Sequence, residues 1–258
     1  MKRFFRISTL AELKKTSVSG WDGILFGAEF CASRLPSHSD ILEARARCEN
    51  EGILFRAVSP VARERDFGLV AAWLAKAVGP GGTWTANDYG ILRWAARELK
   101  GTFPHAGRLL SRQQRDPRVG TMLEGMDEEE KTALSGSLWD EPANLGDLED
   151  LNVCGVELDA VEWGMVRPPL PKNFELSVHA PYALVSWSPA CFFGPGLLGP
   201  CAAPCSRAVP VRMENEEDPH PLWTRGNAIF SRTGEEESLR EAGRVGADNL
   251  VWSPYIPG

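Results

Sequence analysis

Cys191, Cys201 and Cys205 lie in the stretch Pro-Ala-Cys-Phe-Phe-Gly-Pro-Gly-Leu-Leu-Gly-Pro-Cys-Ala-Ala-Pro-Cys-Ser-Arg, a C-x9-C-x3-C array with Gly and Pro between the thiols. Thiolates are soft ligands, and drawing several sulfurs onto one centre needs the backbone freedom that Gly supplies. The array therefore predicts a metal cage that a fourth thiol would close. Zinc is one occupant, because four thiolates hold Zn2+ tetrahedrally. Structural zinc sites usually pair two short C-x2-4-C knuckles, however, and only one short spacing occurs here. The C-x3-C-x2-C of radical enzymes using S-adenosylmethionine is absent, since Ser206 and Arg207 follow Cys205. The bland alternative is three unrelated core cysteines, which a Pro/Gly-rich loop does not favour.

The remaining thiols divide. Cys48 and Cys154 sit among apolar neighbours in an expected helix and an expected strand, so core packing is the reading for both. Cys31 ends an expected strand in Gly-Ala-Glu-Phe-Cys-Ala-Ser-Arg, where parallel α/β folds place functional groups. Glu29, Asn87 and His179 also fall near expected strand ends and are candidate bases, although a lone histidine is more often structural. Arg108, Arg112 and Arg115 have helical spacing, which would let them meet an anionic partner; a solvated face is the expected reading. Gly194-Pro-Gly-Leu-Leu-Gly199 has the letters of a dinucleotide fingerprint, but cysteines and prolines bracket it and no helix opens at its end, so it reads as a spacer. No P-loop, H-E-x-x-H or G-x-S-x-G occurs, and no histidine has a clear nucleophile partner.

The elements that must position these thiols follow from periodicity. Trp21–Phe30, Ile53–Val58 and Thr83–Ala86 read as buried strands. Between them, Asp40–Asn50 reads as a helix capped by Asp40, and Asp66 starts another with Leu69, Val70, Trp73, Leu74 and Ala77 on one stripe. Asn87 is expected to cap a third helix. This β-α alternation predicts parallel strands with outer helices, in either an open doubly wound sheet or a TIM-barrel-like closure. Residues 111–150 break the rhythm, turning from arginines to a strongly acidic run, and read as a linker, lid or inserted helix pair. Strands return at Val153–Leu158, Phe174–Val178, Ala183–Trp187, Val209–Met213, Asn227–Ser231 and Asn249–Trp252, with a helix from about Glu235 to Val245. One barrel-like domain with an irregular second half is expected over residues 1–258.

At 258 residues such a chain buries roughly 70–75% of its unfolded surface without metal or disulfides. Its net charge of −7 argues against a nucleic-acid footprint. The basic N-terminus has no apolar h-region, and no apolar run approaches the ~20 residues of a bilayer span. A cytoplasmic location with reduced thiols is the default expectation.

Cys31 with its flank, joined to Cys191, Cys201 and Cys205, resembles the V-type iron–sulfur subunits of oxygen-independent ubiquinone hydroxylation, within the collagenase-like (unclassified) peptidase family. Tyr182-Ala-Leu-Val-Ser-Trp-Ser-Pro-Ala-Cys191, Leu222-Trp-Thr-Arg-Gly-Asn-Ala-Ile-Phe-Ser231 and Ala247-Asp-Asn-Leu-Val-Trp-Ser-Pro are similar to the family's patterns in order and spacing. The resemblance implies a barrel-like α/β fold, a 4Fe-4S cluster on the four named thiols, and a heterodimer with a U-type sister subunit. It implies hydroxylation of a prenylated aromatic quinone precursor without dioxygen, with prephenate as the oxygen source, rather than peptidase activity. Residues 111–150 have no counterpart in it. A non-catalytic iron–sulfur or zinc scaffold is the competing class, and an RNA-hydroxylating relative is disfavoured by the acidic charge.

Overall fold

The protein is described by a computed structural model covering residues 1–191, 193–194, 201–206, 209–215 and 218–257. In chain order the strands are β1 (Lys2–Ile7), β2 (Gly23–Gly27), β3 (Leu54–Ser59), β4 (Thr83–Ala86), β5 (Phe103–Ala106), β6 (Gly155–Asp159), β7 (Glu175–Ala180), β8 (Tyr182–Trp187), β9 (Val211–Asn215), β10 (Asp218–Arg225), β11 (Ala228–Arg232) and β12 (Asn249–Trp252). The helices are α1 (Leu10–Lys15), α2 (His38–Glu51), α3 (Phe67–Ala77), α4 (Tyr89–Glu98), α5 (Val119–Met122), α6 (Glu128–Ser135), α7 (Pro142–Glu149) and α8 (Glu235–Arg244).

Strands β1 to β7 and β12 close into a parallel barrel, with β12 pairing β7 on one side and β1 on the other. This is the TIM-barrel-like architecture that the resemblance implied, one of the two closures the alternation allowed. Strands β8, β11, β10 and β9 form a second, antiparallel sheet in that order. Phe30, Leu109 and Ile256, which follow β2, β5 and β12, pack with Leu184, Ala228 and Phe230 of this sheet. The second sheet thus covers the carboxyl end of the barrel, the end where such barrels place their chemistry.

Local caps differ from the expected ones by short steps. The N-cap of α2 is Ser37, whose hydroxyl accepts from the Asp40 N–H while Asp40 accepts from the Ser37 N–H. Asp40 is therefore the third helical residue of a capping box. Asp88, not Asn87, caps α4 by accepting from the Ile91 N–H, and Asn87 is released to donate to the Ser59 carbonyl across the barrel end. Residues 111–150 are the crossover from β5 to β6. They carry α5, α6 and α7, and they bury Trp139, Leu145 and Leu148 in the main core. Their acidic run, from Glu128 to Glu130, occupies the first turn of α6 behind its Asp127 cap, where the helix dipole favours negative charge.

Gly27 allows β2 to end as it does. Its φ is +146°, and a Cβ there would lie 2.2 Å from the Val58 carbonyl oxygen. That oxygen is backbone and cannot swing aside. Gly27→Ala is expected to cost about 3 kcal/mol, from an unfavourable φ added to the clash. A urea denaturation midpoint indistinguishable from wild type would show that β2 can re-route.

Candidate functional site

Four thiols converge where β2 leaves the barrel. Cys31 precedes a short turn at Ala32–Arg34, Cys191 follows β8, and Cys201 and Cys205 precede β9. All four line one cavity with Phe30, Val61, Trp187 and Asn227. Cys201 Sγ and Cys191 Cβ flank Gly194, at 3.2 and 3.7 Å from where its Cβ would stand. Cys201 Sγ also accepts from the Ala203 N–H at 3.3 Å. The expected spacer lies outside the described residues except for Gly194.

The barrel side of the cavity is pinned through one carbonyl. Phe30 O accepts from Trp187 Nε1 at 2.8 Å and from Asn227 Nδ2 at 2.9 Å, and Asn227 donates again to Ser188 O. The end of β2 is thereby tied to the strand that leads into Cys191. Burial raises the Cys205 thiol, the cation of Arg34 opposes that rise, and the other three thiols add to it. Among the described residues no three sulfurs lie within 4.8 Å of one another. That is looser than the ~3.8 Å edge expected of a tetrahedron with 2.3 Å Zn–S bonds.

Cys48 and Cys154 lie elsewhere. Cys48 is buried in α2, and burial pushes its thiol up to about 12. Cys154, just before β6, has its thiol pushed up to about 11, again by burial, and its Sγ donates to Pro104 O at 3.4 Å. Both are poor thiolates in their present surroundings.

Below the cavity runs a buried ionic network. Arg108 is completely buried; it donates to Glu29 Oε2 and Asp159 Oδ1, each at 2.7 Å, and to Tyr182 O at 2.9 Å. Arg115 pairs with Asp159 at 2.5 Å, and Arg6 lies 3.6 Å from Glu29. The Arg108 guanidinium also sits over the Phe30 and Phe230 rings, at 5.6 and 5.8 Å from their centroids. Deeper in the barrel His179 Nε2 contacts Glu157 Oε2 at 2.8 Å, and Thr85 donates to Glu157 Oε1 at 2.6 Å. Burial alone would raise Glu29 and Asp159, but Arg108, with Arg6 and Arg115 respectively, overcomes it and holds both below the ordinary carboxylate range. Glu157 is lowered likewise, by His179 and Arg56 against its burial.

The expected solvated face of Arg108, Arg112 and Arg115 is thus overturned. No helix spans them, Arg112 has a φ of 48°, and Arg108 and Arg115 turn inward to neutralise carboxylates. Of the three candidate bases, Glu29 and His179 come together with Glu157, one potential ligand atom of each within 4.8 Å of the others. Arg6, Arg56 and Arg108 press on the same carboxylates, so the local field opposes a cation there. Asn87 stays apart, bonded to β3. Arg6, Glu157 and Asp159 were not singled out from sequence. The available signal was Val-Glu-Leu-Asp-Ala, whose alternation puts Glu157 and Asp159 on one face of a strand with otherwise apolar neighbours.

No protein-family model and no curated protein matches this chain. Among solved structures it is similar to the U32 peptidase Mk0906, at 14% identity and a TM-score of 0.40, over 100% of this chain and 94% of that one. It is also similar to a glycoside hydrolase family 18 N-acetylglucosaminidase from Paenibacillus barengoltzii, at 10% identity and a TM-score of 0.38, over 98% and 94%. Chitinase ChiW from Paenibacillus sp. str. FPU-7 aligns over 98% of this chain and 40% of its own, at 6% identity and a TM-score of 0.43. At such values these likenesses say nothing about chemistry. Among the described residues, no helix is long and apolar enough to cross a membrane.

Proposed function

We propose that this chain is the iron–sulfur subunit of an oxygen-independent hydroxylase acting on a prenylated aromatic quinone precursor, a UbiV-like role beside a U-type partner subunit. The observation that carries the reading is the convergence of Cys31, Cys191, Cys201 and Cys205 on one cavity although 159 residues of chain separate the first two. A 4Fe-4S cluster fits the donor set, because cysteine thiolates hold cubanes and an apolar wall of Phe30, Val61 and Trp187 limits water around them. When bound, the cluster supplies one-electron chemistry.

The chain's own residues define the rest. The carbonyl of Phe30 fixes the strand end from which Cys31 projects, and Arg108 holds Glu29 one residue before Phe30. The His179–Glu157 contact gives the barrel interior a place to hold a proton at Nε2 or Oε2.

Anaerobic purification followed by iron, sulfide and zinc assays tests this reading. About four irons per chain with matching sulfide and a broad visible absorbance are expected. A colourless protein with one zinc would sink it in favour of a structural scaffold. Holo protein mixed anaerobically with a prenylated phenol and prephenate, with and without a U-type partner, then tests the hydroxylation.

A further inference from the structure

Arg34 lies three residues after Cys31, at the end of the turn that opens at the cavity. It is only 9% exposed, yet neither Nη1 nor Nη2 has a hydrogen-bond partner among the described residues. A buried guanidinium left this way is destabilising unless some negative charge faces it. Its surroundings locate that charge. A Cβ built on Gly226 would stand 3.6 Å from Cys205 Sγ and 4.0 Å from Arg34 Nη1, so both groups close around one glycine. The thiols of Cys205 and Cys31 favour the charged guanidinium, whereas burial and the neighbouring Arg225 disfavour it. Glu12 favours the charged form as well, ahead of Cys31, but its carboxylate is shared with Arg225, whose Nη2 donates to Oε1 at 3.0 Å.

We infer that Arg34 is a built-in counter-charge of the four-thiol centre, in addition to Arg63 and Arg65 of the cavity lining, and raises its reduction potential. This rests on the cluster reading above. Four thiolates around an oxidised 4Fe-4S core make a dianion; one electron from an external one-electron donor, dithionite in the test, makes it a trianion. No bond forms or breaks, and the electron stays on the cluster. A fixed cation beside the sulfurs favours the trianion more than the dianion, so the oxidised-to-reduced couple moves up. Arg34 acts through the centre and is a positioning residue rather than a catalytic one.

The test compares wild type with Arg34→Lys, Arg34→Gln and Arg34→Met, purified anaerobically, each assayed for iron and titrated by spectroelectrochemistry. The neutral variants are expected to keep iron and to show a more negative midpoint, while Arg34→Lys stays near wild type. If the neutral variants hold no iron while Arg34→Lys holds the wild-type amount, the requirement for charge shows itself in assembly and supports the same role. Unchanged midpoints in iron-loaded neutral variants overturn it, as does a loss of iron in Arg34→Lys equal to that in Arg34→Met. The metal content of wild type separates the two levels: zinc there overturns the cluster reading together with the inference, whereas iron there with an unmoved midpoint overturns only the role of Arg34.

Discussion

Arg108→Met is expected to lower the unfolding free energy by about 3 kcal/mol, a loss read from chemical denaturation at pH 7. The substitution roughly keeps the side-chain volume but removes the forked cation shared by Glu29 and Asp159. Breaking a buried pair typically costs about 3–5 kcal/mol, because the surviving charge is left uncompensated. The lower end applies here, since Arg6 remains 3.6 Å from Glu29 and Arg115 2.5 Å from Asp159. Arg108→Lys should fall between the two, because a point charge cannot fork to both carboxylates. A loss below about 1 kcal/mol would mean that the flanking arginines suffice.

The pH dependence has a definite sign. Glu29 and Asp159 are held below their ordinary carboxylate range in the folded protein. Their stabilising contribution is therefore present above the unfolded carboxylate value, about 4, and is lost as pH falls through the lower folded values. The gap between wild type and Arg108→Met should narrow as pH falls, because without Arg108 both carboxylates take up protons at a higher pH in the folded variant than in the folded wild type. A gap that stays constant from pH 7 to pH 3 would show that lost packing, not lost charge, accounts for the effect.

The barrel was legible in the sequence wherever a local pattern fixed an element. Thr83–Ala86 and Asn249–Trp252 form over the expected residues, because short apolar runs flanked by turn or cap residues leave little choice. β1 and β5 were not legible. Lys2–Ile7 carries three basic residues, and Pro104 marks Phe103–Ala106 as a poor strand by the usual rule. In the barrel these drawbacks are met by tertiary context: Arg6 turns to the buried Glu29, and Pro104 still offers a carbonyl that accepts from the Cys154 N–H. The ionic network was hidden for a related reason. Arg108 meets partners 79 and 51 residues away, and i,i+4 spacing carries no information about pairings of that range. Its apparent helical period misled because the intervening chain turns at Arg112.

The thiols reverse this relation, since spacing and strand-end position singled out Cys31, Cys191, Cys201 and Cys205 while leaving unseen the cavity that all four line. That environment predicts different outcomes for similar substitutions. On the proposed cluster reading, Cys31→Ser is expected to drop iron from about four to below one per chain and to lower the Tm, because a cluster on these thiols would bind only the folded state and would tie the end of β2 to the loops around β8 and β9. Cys48→Ser should keep its iron and lose about 1–2 kcal/mol, the price of burying a hydroxyl in the core beneath α2. Iron content and thermal unfolding of the two variants, measured on anaerobic preparations, decide the matter. Equal loss of iron from both would show that the cluster depends on general stability rather than on Cys31 as a ligand. Iron lost from Cys31→Ser with an unchanged Tm would leave the ligand assignment standing but remove the link between cluster and fold.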